Sequence, residues 1–401
     1  MPTDAPQPLI TVIGVGADGL SELALDRVAR AEVVLGGARH LAMVPTSATA
    51  VRVAWPSPLR AALPALLDEH AGRDVVALAS GDPLVSGIAT TLIDLLGEGA
   101  VRVEPAVSSV ALARARMGWS AETSTVVTVV GRDLHAVLRE LAPGWRVLVL
   151  SSDADTPAAL AGLLVEQGYG DSALTVLGDL GGAEESRAEA TAATWTGPAP
   201  ALHVVALDLR GPLVGSWVAG LPDDAFEHDG QLTKRDLRAS ALARLAPQPG
   251  QLLWDVGAGA GSVGIEWLRA HPTCRALAVE ADQERAGRIG RNAARLGVPR
   301  LQVVHGRAPD ALADLPAPDA VFIGGGATAS GVLDLCRERL RPGGRLVVHG
   351  VTLETEALLA AAYAEHGGEL TRLAIEQAAP IGSFTGWSPA RTVTQWSWSR
   401  P

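Results

Sequence analysis

The chain has 401 residues, a formal net charge of −11 and 48% hydrophobic residues. This length predicts two or three domains, and the hydrophobic fraction excludes wholesale disorder because it provides for a sizeable core. The residues up to 210 include 14 basic and 24 acidic side chains and the remainder 19 and 20, so neither part has the basic excess expected of a nucleic-acid-binding protein. Two cysteines exclude a disulfide framework and indicate a reducing compartment.

Membrane, leader and metal-site patterns are missing from the sequence. No apolar run approaches the ~18 residues of a transmembrane helix. The N-terminal stretch MPTDAPQPLI lacks a basic region followed by an apolar one. We therefore predict no signal peptide and a cytoplasmic protein without membrane or nucleic-acid partners. Zinc-hydrolase, paired C-x-x-C, serine-hydrolase and P-loop motifs are also missing, and we predict no metal site.

Short apolar runs alternate with helical patterns in the first part of the chain. This alternation predicts an α/β fold with parallel or mixed sheets. The helical patterns include Ser21–Ala31, Val85–Leu96 and Thr156–Gln167. The predicted strands are Leu9–Ile13, Val33–Leu35, Val75–Ala79, Val101–Val103, Val126–Val130, Val147–Leu150, Ala173–Leu177 and Leu202–Leu207.

Residues Gly211–Gly230 interrupt this alternation. They lack a long periodic run and contain two prolines and the acidic pair Asp223-Asp224. Such a stretch is typical of a link between domains. We place the boundary near 211–226, which predicts one domain over residues 1–212 and another over residues 222–401.

The alternation resumes in the second part. Five predicted strands are each followed by a loop and a helical pattern, and two final strands have no helix between them. This arrangement predicts a doubly wound sheet with an antiparallel edge. The strands are Leu252–Asp255, Ala276–Glu280, Leu301–Val304, Ala320–Ile323, Arg345–Val348, Leu370–Ile375 and Thr392–Trp398.

Four motifs of the first part follow predicted strands. They are a Gly-rich turn from residue 14, V-L-G-G-x-R-H-L at 34–41, S-G-D-P at 80–83 and E-P-A-V-S-S at 104–109. Together they resemble the tetrapyrrole methylases, and the second motif resembles their C5-methylating branch. The resemblance implies an N-terminal two-lobed tetrapyrrole methylase fold that binds S-adenosylmethionine between its lobes. The cofactor-binding residues that it implies are Gly14, Gly16, Gly81, Asp82, Ser108 and Ser109.

Asp82 is also the candidate catalytic group of the first part. An aspartate before a proline is equally a good helix N-cap with Pro83 as the first helical residue. The sequence leaves both interpretations open. His40 and His135 have no partner at an informative spacing, which favours core or surface positions over a role as catalytic base.

A second glycine loop, G-x-G-x-G at Gly257–Gly261, follows the strand Leu252–Asp255. A tight turn between strand and helix is the simplest interpretation. The spacing is one residue shorter than that of the dinucleotide fingerprint, which argues against NAD. Glu280 ends the next predicted strand, where a carboxylate can accept hydrogen bonds from ribose hydroxyls, and the small Ala308 follows the third. Loop, acid and small residue together resemble a class I S-adenosylmethionine-dependent methyltransferase with a Rossmann-like fold.

Flanking motifs narrow this resemblance. G-Q-x-T-K at 230–234 contains Lys234, the single lysine of the chain, and F-I-G-G-G and V-T-L-E-T occupy 322–326 and 351–355. Over nearly all of 226–401 the chain resembles the C15-methylating, decarboxylating methyltransferases of cobalamin biosynthesis. His349-Gly350 stands where that family usually has Asn-Ala, and Lys234 is equally an exposed residue at a helix start. The cofactor-binding residues implied are Thr233, Gly257, Ala258, Gly259, Ala260, Gly261, Glu280 and Ala308.

Two methyltransferase folds that act on one substrate resemble the C5,15-methylating, decarboxylating precorrin methyltransferases. The resemblance implies one S-adenosylmethionine per domain, methylation of two bridging carbons of a tetrapyrrole and loss of carbon dioxide from an acetate side chain. It also implies a homo-oligomer. Arginines are expected to bind the substrate carboxylates. A methyltransferase acting on RNA or protein and a non-catalytic tetrapyrrole carrier remain alternatives.

Overall fold

The computed structural model describes residues 10–213 and 215–401. Leu9, the first residue of the first predicted strand, and the rest of the N-terminal stretch up to that residue lie outside the described part. The chain divides into two compact units. The first ends at Pro212 and excludes Asp133–Leu141, which belong to the second unit together with the residues from Leu213 onward. No helix in the described ranges is long and apolar enough to cross a membrane.

The first unit begins with a five-stranded parallel sheet. Its strands are β1 (Ile10–Val15), β2 (Val33–Gly36), β3 (Val51–Ala54), β4 (Val75–Ser80) and β5 (Val101–Glu104). The helices are α1 (Glu22–Arg30), α2 (Ala38–Ala42), α3 (Leu59–Glu69), α4 (Ile88–Leu96) and α5 (Ser109–Met117). The strand order β3-β2-β4-β1-β5 places the carboxyl ends of β4, β1 and β5 side by side.

A second, mixed sheet completes the first unit. It is built from β6 (Thr125–Thr128), β7 (Arg146–Leu150), α6 (Thr156–Glu166), β8 (Ala173–Gly178), β9 (Ser186–Thr191) and β10 (His203–Asp208). The strand order is β6-β7-β10-β8-β9, and only β6 and β7 run parallel. Val110 and Ala113 of α5 pack in one core cluster with Leu148 and Ala206 of this sheet. Two sheets in one unit confirm the predicted two-lobed fold.

Two strands of the first unit were not expected from the sequence. Both β3 and β9 lie at a sheet edge, and most of their residues are exposed. An edge strand is held by backbone hydrogen bonds to one neighbour and needs little apolar surface. The polar sequence S-R-A-E-A-T of β9 therefore carries no strand pattern.

The second unit is a doubly wound sheet, as predicted. Its parallel strands are β11 (Leu252–Val256), β12 (Arg275–Glu280), β13 (Gln302–His305), β14 (Ala320–Ile323) and β15 (Arg345–Gly350). The flanking helices are α7 (Arg235–Leu245), α8 (Ser262–Ala270), α9 (Gln283–Arg295), α10 (Val332–Arg339) and α11 (Leu353–His366). One large core cluster packs on each face of the sheet. This burial on both faces explains the nearly continuous apolar runs of the strands.

The antiparallel edge is formed by β16 (Glu369–Leu373) and by the final strand of the chain, and a hairpin lies between these two strands in sequence. The hairpin strands β17 (Glu376–Ile381) and β18 (Phe384–Pro389) form a sheet of their own, which the sequence did not predict. The final strand β19 (Val393–Ser399) pairs with both β15 and β16. The strand order is β13-β12-β11-β14-β15-β19-β16.

A buried ion pair holds the start of the second unit. Arg238 is 0% and Glu266 3% exposed, and Arg238 Nε donates to Glu266 Oε1 at 2.6 Å. Glu266 also accepts from Gly220 N at 2.7 Å and Leu221 N at 2.9 Å, while Arg238 donates to Leu221 O. These bonds give two buried charges the partners that they need. The expected domain start at residue 222 therefore lies inside this unit.

A fragment that begins at residue 222 should be less stable than one that begins at residue 213. It leaves Glu266 without two N–H donors, and each lost charge-assisted hydrogen bond costs about 1.5–3 kcal/mol. We expect the unfolding free energy of 222–401 in urea to lie at least about 3 kcal/mol below that of 213–401. A fragment 218–401, which keeps Gly220 and Leu221, is the matched control. Equal stability of all three fragments would contradict this account.

Candidate functional site

The carboxyl ends of β1, β4 and β5 meet in the first unit. Gly81 N donates to Val15 O at 2.8 Å, and Ala106 N donates to Gly81 O at 3.1 Å. A Cβ at Gly14 would overlap Gly81 O and Ala106 N, and one at Gly81 would lie 2.9 Å from Ser108 Cα. The structure thus brings together three of the predicted cofactor residues. Glycine at position 14 is required by backbone packing.

Gly16 and the two serines flank this junction. Among the described residues, a Cβ at Gly16 would have only Gly19 O within 4 Å, at 3.7 Å, so this position borders open space. A helix starts at the two serines, because Ser108 Oγ accepts from Ala111 N at 3.1 Å and α5 begins at Ser109. Backbone N–H groups at a helix start favour a negatively charged or polar ligand.

Asp82 does not cap a helix. Its Oδ1 accepts from Leu84 N at 2.9 Å inside a turn, and α4 begins only at Ile88, after Gly87. The helix predicted from Val85 is shorter by three residues because this turn intervenes. The N-cap interpretation of Asp82 is therefore wrong, and its carboxylate stays a candidate group at the carboxyl edge of the sheet.

Arg39 and His40, on α2, reach the same edge. Arg39 Nη2 donates to Ser80 Oγ at 2.8 Å, and His40 Nε2 lies 3.0 Å from the same oxygen. Burial and the charge of Arg39 lower the pKa of His40. The motifs V-L-G-G-x-R-H-L and S-G-D-P thus share one location, which spacing alone did not show.

In the second unit each glycine of the G-x-G-x-G loop has a different neighbour. A Cβ at Gly257 would lie 2.6 Å from Gly325 O, and one at Gly259 would lie 2.8 Å from Gln231 O. At Gly261 the obstacle is Ile289 Cγ2, at 2.7 Å. All three glycines have positive φ angles. The loop therefore packs backbone against backbone between F-I-G-G-G and G-Q-x-T-K.

Glu280 is a buried residue, 6% exposed, at the end of β12. Its Oε2 accepts from Gly259 N at 2.8 Å, and its Oε1 accepts from Asp282 N at 3.0 Å. The carboxylate therefore fixes the glycine loop from the neighbouring strand. Each oxygen retains a lone pair that can accept a further hydrogen bond from a ligand.

A cavity of about 920 Å³ opens at this edge of the sheet. Its wall includes Thr233, Gly257–Gly259, Glu280 and Ala308, which are predicted cofactor residues. Ala260 and Gly261 do not line it. Ala260 is buried and its carbonyl accepts from Asn292 Nδ2, and Gly261 packs on α9. Both residues therefore hold the glycine loop in place through contacts outside the cavity.

Several residues of the cavity wall were missed from the sequence. They include Asp282, Arg285, Arg307, the Gly324–Gly326 loop, His349 and Arg391. Arg285 Nε donates to Asp229 Oδ2 at 2.9 Å. Within the described residues neither Arg307 nor Arg391 has an ion-pair or hydrogen-bond partner for its guanidinium, and both are exposed. The described residues hold no cluster of three or more metal-ligating side chains.

Lys234 belongs to the cavity wall and is also the N-cap residue of α7. Its Nζ lies 3.6 Å from Asp223 Oδ2, and half of its side chain is exposed. The two interpretations of this lysine, a motif residue and a residue at a helix start, are thus compatible.

Two buried titratable groups lie at this edge of the sheet: Asp255, just before the wall residue Val256, and His349, which is in the wall itself. Burial raises the pKa of Asp255 to about 7, and the charge of Glu280 acts in the same direction. Asp255 Oδ2 accepts from Gly264 N at 2.9 Å. Burial lowers the pKa of His349 to about 4, so this histidine is neutral near pH 7.

Comparisons with known proteins cover both units. Residues 9–195 match the family described as tetrapyrrole (corrin/porphyrin) methylases, and residues 224–400 match the family described as precorrin methyltransferase domain. A precorrin-6Y C(5,15)-methyltransferase (decarboxylating) from a Sinorhizobium species is 47% identical over 400 residues, covering 98% of this chain and 97% of that protein. The chain belongs to the family of precorrin-6Y C5,15-methyltransferases (decarboxylating).

Two further similarities concern this precorrin-6Y C5,15-methyltransferase family. The protein of that name from Mycobacterium tuberculosis (strain CDC 1551 / Oshkosh) is 46% identical over 97% of this chain and 99% of its own. The crystal structure of the C-terminal domain of the Rhodobacter capsulatus protein is 49% identical and covers 46% of this chain and 100% of that chain, with a TM-score of 0.44. Family membership confirms the resemblance and the predicted fold class.

Asp255→Asn should change how stability depends on pH. A carboxyl group whose pKa is raised on folding binds a proton more tightly in the folded chain, so its contribution falls as pH rises from about 4 to about 7. At about 1.4 kcal/mol per pH unit the stability gained by the variant grows to at most about 4 kcal/mol at pH 7. Urea unfolding at pH 5, 6 and 7 measures the difference. A difference independent of pH would show that Asp255 is ionised throughout.

Proposed function

We propose that the protein methylates a precorrin macrocycle at C5 and C15 and decarboxylates one acetate side chain in cobalamin biosynthesis. The observation that carries this proposal is the 47% identity to a precorrin-6Y C(5,15)-methyltransferase (decarboxylating) along 98% of the chain. Apart from Asp133–Leu141, the match to tetrapyrrole methylases lies in the first unit, and the match to a precorrin methyltransferase domain lies in the second, which supports two transfer sites. A cytoplasmic location and a homo-oligomeric state belong to the same proposal and rest on resemblance alone.

The cavity of the second unit fits S-adenosylmethionine, which supplies an electrophilic methyl group when it is bound. The fit is supported by Gly257 and Gly259, which keep side chains away from the loop backbone, and by the buried carboxylate of Glu280 on the same wall. In this proposal Glu280 accepts hydrogen bonds from the ribose hydroxyls. Thr233 and Ala308 border the rest of the cofactor.

The first unit holds a second cofactor molecule in this proposal. Gly16 borders open space, Ser108 and Ser109 present the start of α5, and Asp82 lies in the turn after β4. These residues surround the junction of three strand ends, where backbone groups can approach a ligand closely. The two separate strand-end sites support one cofactor per unit.

Methyl transfer requires mainly that the accepting carbon be oriented correctly toward the methyl group of the cofactor. A methyl group on a sulfonium is reactive enough that the protein needs no nucleophile, and holding the accepting carbon in line lowers the barrier. Arg307 and Arg391 are suited to bind carboxylates of the macrocycle because their guanidinium groups have no partner within the described chain and border the cavity. These two arginines would give the cavity a local positive charge for the substrate carboxylates, although the chain as a whole is acidic.

We assign C15 methylation and decarboxylation to the second unit and C5 methylation to the first. The assignment is supported by the precorrin methyltransferase match at 224–400 and the tetrapyrrole methylase match at 9–195. Loss of carbon dioxide leaves an electron pair that the conjugated macrocycle can delocalise. Both reactions of the second unit therefore act on one conjugated system.

Glu280→Ala should weaken cofactor binding in the second unit at least about tenfold, because two charge-assisted hydrogen bonds to ribose are lost. Titration calorimetry of the full-length chain measures this, with the first unit as an unaltered second binding event. Glu284→Ala removes an exposed carboxylate of α9 and is the matched control. Unchanged affinity in Glu280→Ala would mean that the ribose is held elsewhere.

Gly16→Arg and Glu280→Ala should separate the two methylations. The arginine would fill the open space beside β1 without the backbone clash that any side chain at Gly14 would cause. Mass spectrometry of the product should show that Gly16→Arg keeps C15 methylation and carbon dioxide release and loses C5 methylation. Glu280→Ala should lower C15 methylation at limiting cofactor and keep C5 methylation. Failure of Gly16→Arg to release carbon dioxide, with cofactor bound in its second unit, would contradict the assignment.

A further inference from the structure

The cavity of the second unit contains a histidine with an unusual setting. His349 is 8% exposed, lies near the end of β15 and borders the cavity. Its ring meets the ring of Phe322 edge-on, with centroids 5.0 Å apart and an interplanar angle of 84°. The histidine ring is thus packed against Phe322. Which of its two ring nitrogens carries the proton determines whether it can donate a hydrogen bond into the cavity.

The amide of Gln395, on β19, is satisfied in one orientation. Its oxygen then accepts from Arg244 Nε at 3.0 Å and Nη1 at 3.2 Å, and its nitrogen donates to His349 Nε2 at 2.9 Å and Ser240 Oγ at 3.2 Å. The opposite orientation would point an N–H group at the guanidinium. Because arginine carries only donors and is always charged, it determines the orientation of the amide.

This orientation determines the tautomer of His349. Nε2 accepts a hydrogen bond from Gln395, so the proton of the neutral ring is on Nδ1. Burial and the charge of Arg244 both keep the ring neutral by lowering its pKa to about 4. The other charged group that contacts this network is Glu369, whose Oε2 is 3.2 Å from Arg244 Nε. His349 thus has a single N–H donor left for a ligand.

The sheet places this donor away from the ribose position. Val279, Val256, Ile323 and Val348 form one row across four neighbouring strands, and Glu280 and His349 each follow that row by one residue. Three strand spacings separate them, about 14 Å. The donor therefore lies on the part of the cavity wall opposite Glu280, where a second molecule can bind.

We propose that His349 donates a hydrogen bond from Nδ1 to the carboxylate of the acetate side chain that is lost, and that Arg244 and Gln395 hold it in that tautomer. The proposal rests on the function proposed above and names the residue that orients the leaving group. Breaking the carbon–carbon bond releases carbon dioxide and requires that bond to stand perpendicular to the conjugated ring system, so that its electron pair can enter that system. A proton from solvent water then replaces the carboxylate and converts the remaining side-chain carbon to a methyl group. A fixed donor on the carboxylate provides that orientation.

A neutral donor suits this carboxylate better than an arginine does. A guanidinium would stabilise the ionised carboxylate strongly, and that stabilisation is lost when neutral carbon dioxide leaves. His349 holds the group with a weaker bond that costs less at the transition state. The side chains of Arg307 and Arg391 then remain for carboxylates that stay on the product.

The tautomer can be tested on the free full-length protein. Nitrogen-15 NMR of histidine-labelled protein at pH 7 should show His349 protonated at Nδ1 and unprotonated at Nε2, with His349→Asn identifying the signal. Gln395→Glu should move the proton to Nε2 or produce the doubly protonated ring, because a carboxylate accepts and does not donate. A wild-type signal from the Nε2–H tautomer would overturn the proposal whether or not the protein turns over a precorrin.

The role can be tested by kinetics with purified precursor. His349→Leu should lower kcat for carbon dioxide release by about 10- to 100-fold, because the carboxylate is no longer held with its bond perpendicular to the ring system, while His349→Asn, which keeps a neutral N–H donor, should recover part of it. Gln395→Glu should lower kcat. It should lower KM where the ring becomes doubly protonated, because a charged ring binds the carboxylate more tightly, and raise KM where the single proton lies on Nε2, because Nδ1 then has nothing to donate. A merely structural role would not change KM.

The amino-acid end of the cofactor also carries a carboxylate. One further measurement distinguishes binding of that carboxylate by His349 from binding of the substrate acetate. The affinity of S-adenosylhomocysteine should be the same in wild type and His349→Leu. A tenfold loss would mean that His349 binds the amino-acid end of the cofactor, which would overturn the proposal. Absence of precorrin turnover by the wild-type protein would instead contradict the proposed function and leave the NMR result standing.

Discussion

The position of the Glu280 carboxylate between Gly259 N and Asp282 N is the constraint on which the second site depends. It ties the glycine loop after β11 to the end of β12, so that one buried charge determines where the loop lies beside the neighbouring strand. The loop contributes no side chain larger than the methyl group of Ala258 there, and its glycines Gly259 and Gly257 pack against Gln231 O and Gly325 O. The wall near Glu280 is therefore built largely from backbone, which a ligand can approach closely.

Helix α7 supports both ends of this site through two arginines. Arg238 gathers Leu221, Thr233 and Glu266 at the start of the unit. Arg244, almost two turns further along, orients Gln395 beneath the cavity. A buried ion pair such as Arg238–Glu266 stabilises little in net terms, and its value lies in the geometry that it imposes. The G-Q-x-T-K segment just before α7 is positioned by the same helix.

In the first unit the strand ends are held together by different contacts. There Gly14 and Gly81 let three strand ends touch, and no acid at a strand end is needed to hold them. Arg39 and His40 converge on Ser80 beside that junction. Two unrelated sheets therefore each present glycines and helix starts at a carboxyl edge, where parallel strands commonly place their ligands.

The sequence by itself determined the α/β class, nearly all the core strands, the glycine loops and Glu280, because hydrophobic periodicity and turn chemistry are encoded in neighbouring residues. It did not show edge strand β9, the hairpin β17–β18 or the packing of Asp133–Leu141 in the second unit. Only the tertiary structure decided that Arg244, Gln395 and His349 form one network. Side-chain partners from distant segments leave no periodic trace, since their meeting depends on strand order and register.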